Sequence, residues 1–144
     1  YGYFSTYEPY LCALVHIGIN SEYYDLESYF EYCTMNSNRF GNLIFIGLDD
    51  ELNRIYTMGC KGFDDVIINS QKGFSNIYNI WEDPYYIDTK EVTISIPYIV
   101  HKFKDYDLLH KAAKRLFCYW YYRSYPRIES FVERKRRELI EGGR

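Results

Sequence analysis

The sequence contains no long apolar run. Its longest candidates, residues 11–15 and 43–48, are far shorter than the roughly 20 residues that a membrane-spanning helix requires. Runs of this length are typical of core segments, so the sequence indicates no membrane span. Because it opens on Tyr1 rather than Met, we expect a processed or trimmed N-terminus, and the localisation stays weakly constrained.

Paired cysteines are also lacking. The four cysteines are scattered, with no CxxC pair and no regular spacing, so the sequence contains no zinc-finger or redox-pair pattern. We expect buried free thiols, which favour an intracellular reducing compartment or the inside of a particle. Disulfides stay open as an alternative, with three pairings. The cysteines are Cys12, Cys33, Cys60 and Cys118.

The spacings that mark common catalytic sites are absent. The sequence has no GxGxxG, phosphate-binding-loop, HExxH, GxSxG or kinase pattern. Its histidines, His16, His101 and His110, form no HxH or HxxxH pair. Cys12 and His16 would share a helix face, but a buried thiol beside a hydrogen-bonded histidine is the favoured interpretation. We therefore predict no catalytic residue and no enzymatic activity.

Acidic residues occur in short clusters without the pattern of a metal site. Turns favour aspartate, and the regular ligand spacing and glycine of a calcium loop are missing. No metal and no cofactor is predicted. The clusters are residues 49–51, 64–65 and 82–83.

Aromatic residues are what the sequence has in excess. They form 20% of its 144 residues, with 18 Tyr, 9 Phe and 2 Trp, and apolar residues reach 47%. This composition excludes disorder caused by low hydrophobicity and, at this length, predicts one folded domain over residues 1–144. Tyrosine has an apolar ring with a polar tip, so it suits contact surfaces. The excess indicates either interfaces or an AT-rich codon bias, and both interpretations stay open.

Two helices are predicted at the N-terminus. Residues 8–18 end at Gly18, which favours a helix stop, and residues 22–35 follow a cap at Asn20 or Ser21. Both segments carry an apolar stripe at helical spacing.

A central antiparallel β-meander of about four to five strands is predicted next. Residues 42–58 form a hairpin candidate around an acidic turn. Val92, Ile94 and Ile96 alternate with polar residues, which is typical of a strand with one buried face. The other strand candidates are residues 63–68, 74–81 and 92–96.

Two C-terminal helices complete the predicted α+β fold. Apolar residues recur every three or four positions over residues 106–123, which predicts an amphipathic helix. A break at residues 124–126, which include a proline, is expected to separate it from a last helix over residues 127–141.

Charge is divided between two regions of opposite sign. Residues 1–100 carry 5 Lys+Arg and 14 Asp+Glu, a net charge of −9, whereas residues 101–144 carry 12 and 6, a net charge of +6. We expect a dipolar molecule that docks head to tail with its own copies, or with its basic helices on an acidic partner, because opposite fields steer association.

Two stretches of the basic region are predicted to bind partners. Four adjacent aromatic residues are apolar around most of a helix, more than a chain of this size readily covers, which favours burial against another protein. Four consecutive basic residues indicate either a solvated helix end or a phosphate-binding cluster, and interleaved glutamates argue against phosphate. The predicted partner-binding residues are Tyr119, Trp120, Tyr121, Tyr122, Arg134, Lys135, Arg136 and Arg137.

The predicted function is a non-enzymatic structural or assembly subunit of a larger complex, whose protein partners are either copies of the chain or other proteins. A small acidic immunity or inhibitor module that binds one basic partner is an alternative. A ribonucleoprotein component that binds nucleic acid through the basic helices is another. An enzyme would need a pocket that gathers His16, Cys12 and an acidic residue.

Overall fold

Five helices and one β-hairpin form the regular structure. The computed structural model describes residues 1–19, 25–79 and 84–142. The fold is α+β, as the sequence predicts, but its elements differ in number and position. The helices are α1 (Tyr7–His16), α2 (Leu26–Asn36), α3 (Asp64–Ile77), α4 (Ile96–Phe103) and α5 (Asp107–Gly142), and the strands are β1 (Ile44–Leu48) and β2 (Arg54–Thr57).

The N-terminal part contains two helices, with bounds that differ from the predicted ones. α1 ends before Gly18, whose φ of 80° leaves the helical path. α2 is capped by Asp25, whose carboxylate accepts hydrogen bonds from the N–H groups of Glu27 and Ser28. The predicted cap at residues 20–21 lies outside the described residues.

The strands β1 and β2 form the antiparallel hairpin predicted over residues 42–58. Asp49 shapes its turn, because its carboxylate accepts hydrogen bonds from the N–H groups of Glu51 and Asn53. Phe45 pairs with Tyr56 across the two strands, with ring centroids 5.4 Å apart, and both rings are exposed. The hairpin therefore presents an aromatic pair to solvent.

The predicted strands at residues 63–68 and 74–81 are wrong where the structure describes them, because α3 occupies residues 64–68 of the first segment and 74–77 of the second. Their β-branched and aromatic content suggested strands. The apolar residues nevertheless share one face of a helix, since Val66 and Phe74 lie eight positions apart, about two turns, and Phe74 and Ile77 lie three apart. Residues 80–83 lie outside the described residues.

The predicted strand at residues 92–96 is also wrong. The N–H groups of Val92 and Thr93 donate to the carbonyl of Thr89, which forms a turn that leads into α4. Pro97 in the first turn of α4 suits a helix start, since its missing N–H would have no partner there. In the described part of the chain the predicted meander is thus reduced to a two-stranded sheet.

Four short segments outside the hairpin lie side by side through isolated parallel pairing. Gly2 pairs with Gly59, which pairs on its other edge with Phe40. The Tyr1 amino group donates to the carbonyl of residue 87 at 2.6 Å, and its carbonyl accepts from the N–H of residue 89 at 2.9 Å. These two bonds have the spacing of a parallel pair. We call residues 40–41, 58–60, 1–2 and 87–89, in this spatial order, the central ladder.

A single helix, α5, replaces the two predicted C-terminal helices. The break predicted at residues 124–126 is wrong, because the helix continues through Pro126. A proline inside a helix removes a hydrogen bond and crowds the carbonyl four residues earlier. Packing outweighs this cost, since Trp120, Ser124, Ile128 and Phe131 are buried along one face on both sides of the proline.

Aromatic rings dominate the core, which forms where α5 packs against α1, α2 and α4. The ring of Tyr7 meets Trp120 edge to face at a centroid distance of 6.0 Å. Phe117 lies 5.3 Å from both Trp120 and Phe30. The Tyr29 hydroxyl donates to the Tyr7 carbonyl at 2.9 Å. Part of the tyrosine excess therefore serves the core. Of the helices in the described ranges, none combines the length and apolar character that crossing a bilayer requires.

Candidate functional site

A crevice of about 320 Å³ opens at one end of the central ladder. Residues 1–2 lead directly into one wall, and residues 87–89 lead into the other, so the crevice lies beyond the carboxyl ends of two adjacent parallel segments. The walls are formed by Tyr3, Phe4 and Glu8 on one side and by residues 93–95, Pro97 and Tyr98 on the other.

The connections from two adjacent segments of the central ladder leave in opposite directions. From residues 1–2 the chain passes through α1 and α2 to residues 40–41, on one side of the central ladder. From residues 58–60 it passes through α3 to residues 87–89, on the other side. The reversal lies between residues 58–60 and 1–2, next to the crevice, which is beyond residues 1–2 and 87–89.

Glu8, in the first turn of α1, is 3% exposed and borders the crevice. Burial raises the pKa of its carboxyl group to about 7, although backbone N–H groups of Glu8 and Ile94 and the indole of Trp120 act in the opposite direction. Neither Glu8 Oε1 nor Trp120 Nε1 has a partner at hydrogen-bonding geometry. A buried polar atom without a partner is costly, so this carboxyl group is a candidate ligand contact.

Three aromatic rings border the same crevice. The ring centroid of Tyr3 lies 4.8 Å from that of Phe4 and 6.1 Å from that of Tyr98. Phe4 and Tyr98 are 6.5 Å apart. Phe4 is buried, whereas Tyr3 and Tyr98 are exposed at the mouth. The crevice thus combines one buried carboxyl group with an aromatic wall.

A serine–histidine contact lies close to this wall. Ser37 Oγ is 2.8 Å from His101 Nδ1, and the His101 ring lies 4.6 Å from that of Phe4. Burial and the nearby Lys104 ammonium lower the pKa of His101. Ser37 is fully buried, so its hydroxyl group holds the histidine in place and is not accessible as a nucleophile.

Cys12 and His16 do not form a reactive thiol–histidine pair. His16 Nε2 lies 3.2 Å from Asp49 Oδ2 at the hairpin turn. Burial raises the pKa of the Cys12 thiol to about 12, which keeps it protonated near neutral pH. Neither residue borders the crevice. All four cysteines are free thiols. Within the described ranges, no cluster of three or more His, Cys, Asp or Glu side chains could hold a metal ion.

The YWYY stretch divides between core and surface. Trp120 is fully buried and Tyr121 is 3% exposed, whereas Tyr119 is 53% and Tyr122 is 69% exposed. Four successive helical residues spread over about 300° of the circumference, so one set of neighbours covers half of them. The structure therefore leaves Tyr119 and Tyr122 available for a partner and uses the other two in the core.

The basic residues of α5 contact acidic residues of the region 1–100. The Arg134 guanidinium pairs with the Glu91 carboxylate, and Arg136 Nη2 lies 3.2 Å from Asp50 Oδ2. Part of the opposite charge that was expected to attract partners is thus neutralised within the molecule. The remaining two predicted residues are Lys135, which pairs with Glu138, and Arg137, which is exposed.

An exposed apolar surface on α3 was missed by the sequence interpretation. α3 contains no buried residue, and five large apolar side chains at or beside it are 60–74% exposed. At the helical period they fall within a sector of about 120°. The signal that could have identified it was the spacing of three or four positions within two groups of apolar residues, at 63–66 and at 74–78, which lie two helical turns apart. The α3 face consists of Phe63, Val66, Phe74, Ile77 and Tyr78.

Comparison with known proteins adds a family match. A family model described as "Protein of unknown function (DUF3189)" matches residues 1–137. No curated protein matches the chain, and no solved structure does. The central ladder, the crevice and the α3 face all lie within the matched residues.

Proposed function

The chain belongs to the family described as protein of unknown function (DUF3189), and from this premise we propose that it is a non-enzymatic assembly subunit that docks on another protein through the α3 face. The observation that carries the proposal is a 14-residue helix without a buried residue, whose apolar side chains are largely solvent-exposed. Contiguous exposed apolar surface on a soluble domain is typical of an interaction site.

The α3 face has the form of a helical recognition element. One side of the helix carries Phe63, Phe74 and Ile77, a spacing that lets an apolar helix face pack into a hydrophobic groove of a partner. The rings of Phe74 and Tyr78 are stacked, with centroids 6.2 Å apart and planes within 5° of parallel. We expect this pair to act as an aromatic anchor, the kind of contact that contributes most of the binding energy at protein interfaces.

The charges of α3 favour a protein as the binding partner. Its described charged side chains are Asp64, Asp65 and Lys72, and Asp64 pairs with Lys90. Helices that lie on membranes are rich in Lys and Arg on their polar face, and nucleic-acid contacts also require clustered basic residues. α3 offers neither.

The size of α3 favours a groove on a different protein over a second copy of this helix. A 14-residue helix is about 21 Å long. A contact between two such helices is small beside the roughly 800 Å² per partner that specific interfaces bury. A groove that encloses the helix buries more of the same residues. An immunity or inhibitor module would use the same face, and a one-to-one complex with a single partner would distinguish it from a larger assembly.

Site-specific photocrosslinking in the protein's native cells tests the proposal. A photoreactive amino acid at position 77 probes the α3 face, and one at the exposed position 69, about 120° around the helix from the centre of that face, is the matched control. We expect a discrete adduct of defined mass from position 77, none from position 69, and loss of the adduct when Phe74→Asp is added.

The partner identified in that adduct is then purified and its affinity measured. Phe74→Asp is expected to weaken binding at least tenfold, because large interface aromatics are frequent hot spots. Asn69→Asp is expected to leave the affinity unchanged. Equal crosslinking from positions 69 and 77, or equal affinity of the two variants, contradicts docking through the α3 face.

A further inference from the structure

The crevice at the central ladder is independent of the α3 face and has its own chemistry. Its position beyond the carboxyl ends of two adjacent parallel segments is where open parallel sheets bind ligands. Its volume of about 320 Å³ is in the lower range of small-molecule sites.

The carboxyl group of Glu8 defines the polar part of the crevice. Only 3% of the surface of Glu8 is exposed, and its Oε1 atom has no hydrogen-bond partner. A carboxylate in such a position requires a donor or a positive charge to offset its desolvation. The ionised form also repels an anion, so a phosphate or carboxylate ligand is disfavoured.

The aromatic wall defines the rest of the crevice. Tyr3, Phe4 and Tyr98 bring three rings within 6.5 Å of one another around it. Aromatic faces attract organic cations through their quadrupole, and cages of such rings recognise alkylated ammonium groups. A metal ion would need several hard oxygen, nitrogen or sulfur ligands, and no suitable cluster of three occurs in the described residues.

We propose that the crevice binds a small organic ammonium group, with the Glu8 carboxylate as its counterion and the rings of Tyr3, Phe4 and Tyr98 as its walls. The positive charge of the ammonium offsets the desolvated charge of the ionised Glu8 carboxylate. The alkyl substituents pack against the rings, which exclude water from the ion pair and strengthen it. This ligand site is separate from protein docking on α3.

Binding of choline to the purified protein tests the proposal, by calorimetry or by NMR shifts of Tyr3 and Tyr98. The matched ligand control is the neutral isostere of choline in which a quaternary carbon replaces the nitrogen. At about pH 8, where Glu8 is ionised, we expect choline to bind at least tenfold more tightly than the isostere. A panel from methylammonium to tetramethylammonium then defines the preferred degree of alkylation.

Two variants separate a ligand site from a structural carboxyl group. Glu8→Gln keeps the shape and removes the charge, and is expected to lower the affinity for the ammonium probes at least tenfold. Tyr98→Ala, at the exposed mouth, is expected to weaken binding by a factor of about three to ten without unfolding the protein. Asp65→Asn, on α3, is the control that should bind normally.

Three results would overturn the proposed ammonium site. Absence of binding by every ammonium probe at concentrations up to about 100 mM, equivalent to an affinity weaker than about −1.4 kcal/mol, overturns the proposal. Equal binding of choline and its isostere, or unchanged binding in Glu8→Gln, also overturns it. If Glu8→Gln fails to fold, Tyr98→Ala and the isostere comparison still decide the matter. None of these results depends on whether α3 binds a partner.

Discussion

Gly59 lies so close to Ser5 that a side-chain carbon added at position 59 would be 2.7 Å from the Ser5 backbone nitrogen. The same carbon would be 3.3 Å from the carbonyl oxygen of Tyr3. This approach lets residues 58–60 pair with residues 1–2 in the central ladder while the chain turns into α1. The glycine therefore positions the wall of the crevice that carries Glu8.

Gly59→Ala is expected to destabilise the protein by about 1–3 kcal/mol, because backbone atoms of Ser5 cannot move aside as a flexible side chain could. Gly73→Ala is the matched control: position 73 has open space around it inside α3, and alanine there is expected to stabilise by about 0.5–1 kcal/mol. Urea unfolding measures both values. Similar stability of the two variants would contradict the close packing of the central ladder.

Pro126→Ala is expected to stabilise the protein by about 1–3 kcal/mol. Pro126 is exposed inside α5, where proline removes a backbone hydrogen bond and crowds the preceding turn. Glu129→Ala, at an exposed neighbouring position, should change the unfolding free energy by less than about 0.5 kcal/mol. A less stable Pro126→Ala protein would show that the packing of α5 depends on a bend at the proline.

The carboxyl group of Glu8 makes stability depend on pH. Its folded pKa of about 7 lies above the ordinary value of 4.5, so the folded state binds the proton more tightly than the unfolded state. The associated stability is fully present below about pH 4.5 and is lost as the pH rises to about 7, with a total of up to about 3 kcal/mol. Glu8→Gln is expected to remove this loss.

The comparison of wild type with Glu8→Gln isolates that effect from other titrations. His101 acts in the opposite direction, because its lowered pKa makes stability rise with pH. Its contribution is common to both proteins and cancels in the difference. A difference in unfolding free energy that is constant from pH 4.5 to 7 would contradict the raised pKa of Glu8. Around Glu8 the other titratable groups stay neutral in this window because burial raises their pKa values: Tyr7, Cys12, Tyr29 and Cys33.

The sequence predicted elements where local pattern and tertiary packing agree. The hairpin around Asp49 and the helical period before Trp120 were both visible in the spacing of residues. The prediction at Pro126 was wrong, because proline favours a helix break locally, whereas α5 residues buried on both sides of the proline keep one continuous helix. α3 was predicted as strands because its content of β-branched residues was given more weight than the helical spacing of its apolar residues.

The candidate sites were harder to predict because they depend on contacts distant in sequence. Acidic residues are common at helix starts, so Glu8 gave no signal of a site, and its burial follows from residues 93–98 and Trp120, which lie against it. The YWYY stretch was predicted to bind a partner as a whole, and the sequence does not indicate that Trp120 and Tyr121 pack against α1 and α2 instead. Arg134 and Arg136 resembled a free basic cluster until their partners were located.

The size of the protein in its native extract tests docking through the α3 face most directly. Sedimentation of the wild type, Phe74→Asp and Asn69→Asp, each expressed at its natural level, compares the exposed apolar face with an exposed polar position on the same helix. We predict that the wild type and Asn69→Asp sediment in a complex larger than one chain and that Phe74→Asp sediments as a free, folded monomer. A wild-type protein that sediments as a single chain, or a complex of unchanged size in Phe74→Asp, would contradict the account.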